Sequence, residues 1–342
     1  MLEITGTFGY GTASLTFRQP RPSITDALRA LNCATQEFDT HLINGADFYG
    51  PDYDNYKLLK TFLDINKDSF DRKLIYAIKS GFDPETFQPN NSREFLDAQV
   101  KAMLEYFPVG MPCRPHILFQ PARVDAKVSI EDTMATIKRY LDQGWIDGIG
   151  LSEVGASTIE KAVAVAPVSA VEVEFSLFCT DILKNGIIDV CSKHGIPIIA
   201  YSPLGQGILT DLAVENGEGW LHSLPQEDFR RQFDKFTGDN FLANLKLSKE
   251  LYQLAHNKFS VSLETLSLSW LIALSENPNY HGVAMPKIIP IPGGSTPEKI
   301  RHNFSKVIKL SAADLEEIDA IVAKHPVQGG RYNSEQQPLL NG

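Results

Sequence analysis

The chain has 342 residues, of which 43% are hydrophobic, 22% charged and 10% aromatic, the make-up of a globular protein with a substantial core and not of a disordered or fibrous one. Thirty-two Lys and Arg against 42 Asp and Glu leave a net charge of −10 with no basic run. A general nucleic-acid or anionic-membrane binder is thereby disfavoured, and any anion the protein holds must be held locally. At roughly 150 residues per domain the length suits two domains or one large α/β barrel.

The four cysteines, Cys33, Cys113, Cys179 and Cys191, are scattered without CxxC or Cys/His spacing, so neither a metal site nor a disulfide framework is expected. No apolar stretch approaches the ~18 residues that span a bilayer, and the start of the chain, with Glu3 and no basic segment, does not read as a signal peptide. The expected location is the cytoplasm, with reduced thiols.

In chain order, Ser23 followed by Asp26 predicts a capped helix with Ile24, Ala27, Leu28 and Leu31 on one face. A strand follows at 41–44, another at 74–78, a helix over 93–107 and a strand at 117–119. Ser129 with Asp132 opens a helix carrying Met134, Ile137 and Leu141. After a strand at 149–151, Ser157 with Glu160 opens one carrying Ile159, Ala162, Val163 and Ala166. Strands at 170–175, 196–201 and 288–291 complete seven. The eighth is expected near the 93–107 helix or inside the irregular stretch 211–244. Thr296, Pro297 and Glu298 start a late helix, and Ser311 with Asp314 the last one.

Continuous apolar runs such as Ile196-Pro197-Ile198-Ile199-Ala200 fit strands covered on both faces. The pattern predicts a single-domain (β/α)8 TIM barrel over 1–326, with 211–244 as a cofactor or substrate loop and 327–342 as a mobile tail. A doubly wound dinucleotide fold would need GxGxxG after the first strand; Gly9-Tyr10-Gly11 lacks the third glycine.

A barrel carries its chemistry at the C-terminal ends of its strands. Two ends are unusual: Asn44-Gly45-Ala46-Asp47-Phe48-Tyr49-Gly50, and Ala77-Ile78-Lys79-Ser80-Gly81. Alone, such a lysine is more often a snorkelling surface residue and such a tyrosine a packing residue. Together they carry more, because a nearby ammonium favours a phenolate and makes a phenol a usable proton donor. Protonating a carbonyl oxygen while a hydride arrives at carbon is chemistry of that kind.

On these residues the chain resembles the aldo-keto reductase superfamily. Further segments carry the resemblance: Gly144-Trp145-Ile146-Asp147-Gly148-Ile149-Gly150-Leu151-Ser152, Glu172-Val173-Glu174-Phe175-Ser176-Leu177, Ala200-Tyr201-Ser202-Pro203-Leu204-Gly205-Gln206-Gly207, and Ile291-Pro292-Gly293-Gly294-Ser295 with Asn303. The resemblance implies Tyr49 as proton donor and Lys79 as the lysine that acidifies it. Asn44 stands where the family has an aspartate, and Ala122 where it has a histidine. An amide at 44 can still accept a hydrogen bond from the ammonium and orient it. Gln120, on the same strand face as Ala122, is a possible substitute for the histidine, and His116 lies too far back along the strand. The Asn-Gly-x-x-Phe-Tyr-Gly segment with Pro121-Ala122-Arg123 is most similar to the fungal pyridoxal reductase branch. Pyridoxal carries a phenolic hydroxyl beside its aldehyde that can orient the carbonyl internally.

The resemblance also implies NADPH. Tyr201 would stack on the nicotinamide, Ser202, Pro203, Leu204 and Gly205 would form the pyrophosphate loop, and Ser152 with Glu172 would meet the carboxamide, Glu172 replacing the family's glutamine. Gly293, Gly294, Ser295, Lys299 and Asn303 would hold the adenine end and its 2′-phosphate. The expected partner is a small-molecule aldehyde, with no nucleic acid, membrane or obligate protein partner evident. The loss of two of the family's four catalytic positions leaves a second reading open: a low-turnover nucleotide-binding regulatory subunit resembling the potassium-channel β-subunits.

Overall fold

The computed structural model describes residues 1–38, 40–69, 73–86, 88–277, 279–304 and 307–342. Eight parallel strands follow one another round a barrel: β1 (Gly9–Gly11), β2 (Leu42–Ala46), β3 (Ile75–Ser80), β4 (His116–Pro121), β5 (Gly148–Ser152), β6 (Ala170–Glu174), β7 (Ile198–Tyr201) and β8 (Ile288–Pro290). Each pairs with its neighbour in sequence, and the Gly11 N–H donates to Pro292 O at 3.1 Å to close the seam between first and last strands. The barrel predicted from the sequence is the one found.

The eighth strand is β1, not one of the two places where it was expected. It is three residues long and rich in glycine, without the apolar run that marks the other strands. Packing requires those glycines: a Cβ at Gly9 would stand 2.7 Å from Ile291 Cγ2, and one at Gly11 3.0 Å from Ile291 O. The residues that close the barrel therefore remove the β-branched signal by which a strand is recognised.

Helices α1 (Ile24–Asn32), α2 (Asp54–Ile65), α3 (Arg93–Tyr106), α4 (Ile130–Asp142), α5 (Ala156–Val165) and α6 (Ile187–His194) return the chain after β1 to β6, as parallel pairing demands. Ser23 and Ser129 accept from the Asp26 and Asp132 amides at 3.1 and 3.0 Å, the caps that the sequence predicts. Ser157 is not a cap: α5 starts at Ala156 with Gly155 before it. After β7 come the insert, α7 (Gly238–Leu254) and α8 (Leu263–Glu276), and after β8 α9 (Pro297–Asn303) and α10 (Ala312–Lys324).

Side chains alternate along a strand, so every second residue faces the barrel axis. Leu42, Ala77, Leu118, Ala170, Ile199 and Ile289 form one buried apolar layer there. Two residues further along their strands stand Asn44, Lys79, Gln120 and Glu172, all buried. The floor of the barrel is thus apolar and its upper layer polar, which puts chemistry at the mouth.

The insert, expected to be irregular, folds into short helices at Asp211–Asn216 and Glu218–Ser223 and two 3-10 turns. Trp220, stacked on Phe241 with ring centroids 5.9 Å apart and edge-on to Phe236, gives it a core of its own. The segment 327–342, read from composition as mobile, lies along the mouth. Gln328 N donates to Asn244 Oδ1 at 2.7 Å, Gly330 N to Asp234 Oδ2 at 2.8 Å, and Gly342 N to Glu153 O at 3.2 Å. These contacts, with the Arg331 ion pairs and Tyr332 packed on Phe233, come from scattered residues that have no periodicity to read.

Candidate active site

A cavity of 1470 Å³ opens at the C-terminal mouth, large enough for a dinucleotide and a small second molecule. Asn44 and Tyr49 from the β2 end, Lys79 from β3 and Ala122 from the β4 end line it, as do Ser152 from β5 and Glu172 from β6. Tyr201, Ser202, Pro203 and Leu204 line it from the β7 end, and Gly293, Gly294, Ser295, Lys299 and Asn303 from the β8 end. Gly205 does not face the cavity. It turns the loop at φ +55°, where a Cβ would press on Ile208 and Phe178 at 3.0 and 3.1 Å.

Tyr49 is held between Phe17, stacked at 5.3 Å, and Phe48, edge-on at 5.4 Å. The Lys79 Nζ lies 5.2 Å from the centre of its ring. That ammonium is buried and donates to Asn44 Oδ1 at 2.7 Å and to Glu172 Oε1 at 2.9 Å. The Asn44 amide then donates from Nδ2 to Glu172 Oε2 at 2.7 Å, so the three side chains form a closed ring. Burial on its own would lower the Lys79 pKa, but the Glu172 carboxylate and the Tyr49 phenol outweigh it and hold the amine above its ordinary value.

Glu172, expected at a nicotinamide carboxamide, is thus already engaged by Lys79 and Asn44. The nearby Asp47 is not the carboxylate at the lysine. It accepts from Ser80 Oγ, its Oδ1 is buried without a partner, and burial pushes its carboxyl up to about 7 against the pull of that hydroxyl.

The residues expected to hold NADPH fit that group in three respects. Ser152 Oγ is buried with no hydrogen-bond partner among the described residues, and a carboxamide would suit it. Tyr201 presents its ring to the cavity from the strand end while its hydroxyl is tied back to Arg331 and Tyr332 at 3.0 and 3.1 Å. At the other end, Asn303 Nδ2 donates to Gly293 O at 2.6 Å and Lys299 Nζ to Ser295 Oγ at 3.3 Å, which shapes a small cationic pocket at the start of α9. Ala122 leaves an apolar spot where a histidine was looked for. Gln120 does not line the cavity; it packs against Gly150, whose Cβ would lie 2.7 Å from Gln120 Cγ, and both its polar side-chain atoms lack partners. His116 sits at the opposite end of β4, where it meets Asp147 at 3.2 Å.

Other charged residues gather at the mouth. Glu174, two residues beyond Glu172 on β6, accepts from Lys235 of the insert at 2.9 Å and from Arg331 Nε at 2.8 Å. Arg331 also reaches Glu153 Oε1 at 2.6 Å. Burial would raise both carboxyls, yet these cations leave both below the ordinary glutamate value. Arg18 and Arg123 also line the cavity, and Arg18 stacks over Phe229 at 5.3 Å. A doublet Glu-x-Glu on one strand was the available clue, since both side chains must face inward.

Comparison with known proteins agrees with this geometry. The profile of the Aldo/keto reductase family matches residues 7–323. The chain is 36% identical over 339 residues to a Schizosaccharomyces pombe protein named "Probable pyridoxal reductase 2", covering 98% of this chain and 97% of the other. It is 30% identical over 346 residues to a Saccharomyces cerevisiae protein provisionally named for the same activity, with 95% of each covered. Among solved structures, the glycerol dehydrogenase of Gluconobacter oxydans superposes with a TM-score of 0.75 at 20% identity, covering 94% of this chain and 93% of that one. A Klebsiella pneumoniae aldo-keto reductase in complex with NADPH gives 0.65 at 15% identity, covering 96% and 94%. With a barrel of this topology, a tyrosine and a lysine at one mouth, and a family match across nearly its whole length, the chain belongs to the Aldo/keto reductase family.

Proposed function

We propose that the protein is an NADPH-dependent reductase that converts an aldehyde to its alcohol, with pyridoxal as the substrate. The observation that carries this reading is the placement of Tyr49 and Lys79 in the same cavity as the unpartnered Ser152 hydroxyl and the Tyr201 ring. NADPH, when bound, supplies the hydride for the carbonyl carbon. Tyr49 delivers the proton to the carbonyl oxygen, and the Lys79 ammonium stabilises the negative charge then left on the phenol oxygen. Ser152 orients the carboxamide, and Gly293 to Ser295, Lys299 and Asn303 receive the adenylate with its extra phosphate.

Two features favour an aromatic aldehyde with its own hydrogen-bonding group. Phe17 and Phe48 pack on Tyr49, and Phe82, Phe229 and Phe233 line the same cavity; flat rings stack well on such surfaces. With Ala122 in place of a donor, the carbonyl must be aligned by the substrate itself, which the phenolic hydroxyl of pyridoxal does. The two pyridoxal-reductase-named relatives agree with this choice. The insert, whose Asp228, Phe229, Arg230 and Phe233 line the cavity, acts as its cover. The four unpaired cysteines suit a reducing cytosol.

NADPH oxidation with pyridoxal, followed for wild type and Tyr49→Phe, tests the reading. Removing the proton donor is expected to lower kcat on the order of 100-fold or more. Equal, negligible rates in both proteins would reject the reductase and favour the low-turnover nucleotide-binding subunit.

A further inference from the structure

Set against the family pattern, this chain has an amide at 44 where a carboxylate is usual and a carboxylate at 172 where an amide is usual. Read singly, each is a lost contact: one removes the counter-ion of the catalytic lysine, and the other puts a negative charge beside the nicotinamide. In the structure the two side chains touch. Asn44 Nδ2 donates to Glu172 Oε2 at 2.7 Å, and both side chains accept from the same ammonium, at 2.7 and 2.9 Å. All three are buried, Asn44 3%, Lys79 5% and Glu172 2% exposed.

We propose that Glu172 is the positioning residue for Lys79, the counter-ion having been moved from β2 to β6 with Asn44 as the bridge that fixes its orientation. The inference rests on the proposed reduction for its kinetic consequences, but the ion pair itself does not depend on it. An ammonium this deep requires a paired charge, since unpaired burial is strongly unfavourable. Among the described residues, Glu172 is the acidic side chain within ion-pair distance of it. The amide does what a carboxylate could not. Asn44 accepts from the lysine with its oxygen and donates to Glu172 with its nitrogen, so every hydrogen bond of the ring has one donor and one acceptor. An aspartate at 44 beside Glu172 would place two carboxylates on one cation with no donor between them. The charge of the ring is the same for Asn44 with Glu172 as for the reverse pair, and only the direction of one hydrogen bond differs.

This symmetry supplies the test. Glu172→Gln strands the ammonium, and Asn44→Asp adds a second carboxylate. Each is expected to lower kcat for aldehyde reduction on the order of 100-fold, with less than about threefold change in KM for NADPH. Asn44→Asp/Glu172→Gln, which restores one carboxylate and one amide, is expected to recover kcat to within about tenfold of wild type. A Glu172 that serves the carboxamide gives the opposite pattern: Glu172→Gln keeps kcat and tightens NADPH, and the double variant rescues nothing. Either result overturns the proposal. A second arm needs no turnover. In the nucleotide-free protein, thermal unfolding of Glu172→Gln, Lys79→Met and their combination is expected to be clearly non-additive, the second substitution costing little once the first is made. Additive losses would overturn the ion pair. Wild-type turnover of pyridoxal in the first arm reports on the proposed function separately.

Discussion

Two buried ion clusters lie side by side on β6, one built on Glu172 and the other on Glu174. They use the same chemistry for different ends. Glu172 meets a lysine of the barrel wall, and every member of its ring comes from a strand, so the ring holds one ammonium at one place beside Tyr49. Glu174 meets Lys235 and Arg331, which come from the insert and from the segment after the last helix. The second cluster pins two chain segments to the barrel mouth. A buried carboxylate on a barrel strand can therefore serve chemistry or architecture, and the difference is which segment supplies its cation.

The sharpest way to break this comparison is to remove the two lysines in turn. Lys79→Met is expected to reduce turnover by about 10³-fold or more while nucleotide binding, read by fluorescence titration, stays largely intact. Retained turnover would show that the lysine beside Tyr49 has no part in the chemistry. Lys235→Met is expected to act on stability instead. Stripping a buried charge of its partner costs about 3–5 kcal/mol; because Glu174 keeps Arg331, a loss below that, read by urea unfolding, is expected, whereas kcat per folded molecule remains within a few-fold. A Lys235→Met protein of wild-type stability would mean that the insert is held without this ion pair.

A smaller effect concerns Asp47, which has no cationic partner among the described residues. Its carboxyl titrates near 7 in the fold, above its ordinary 3.8. Between these values the folded state holds a proton that the unfolded state releases, so the group's contribution to stability falls as pH rises from about 4 to 7. Asp47→Asn is expected to raise the unfolding temperature by a few degrees at pH 8 and to change it little at pH 4. An equal shift at both pH values would count against a protonated Asp47.

The barrel was legible because its strands and helices announce themselves by continuous apolar runs and by caps such as Ser129 with Asp132. The strand that was missed, Gly9–Gly11, is the one whose glycines are needed for close packing at the seam. Tyr49, Lys79 and the loop from Ser202 were legible as residues at strand ends. What could not be read was pairing: nothing in one dimension shows that position 172 lies against position 44, or that Arg331 returns to Glu153 and Glu174. The segment 327–342, expected to be mobile, is set against the mouth by Arg331 and by single hydrogen bonds, contacts that leave no hydrophobic pattern to read.

The ring of Asn44, Lys79 and Glu172 bears on how such sites change over time. If the ring works as proposed, either exchange alone leaves a buried ammonium bare or crowds it with two acids. The two positions are then expected to change as a unit, and a motif scored one position at a time would record two defects where there is one compensated pair.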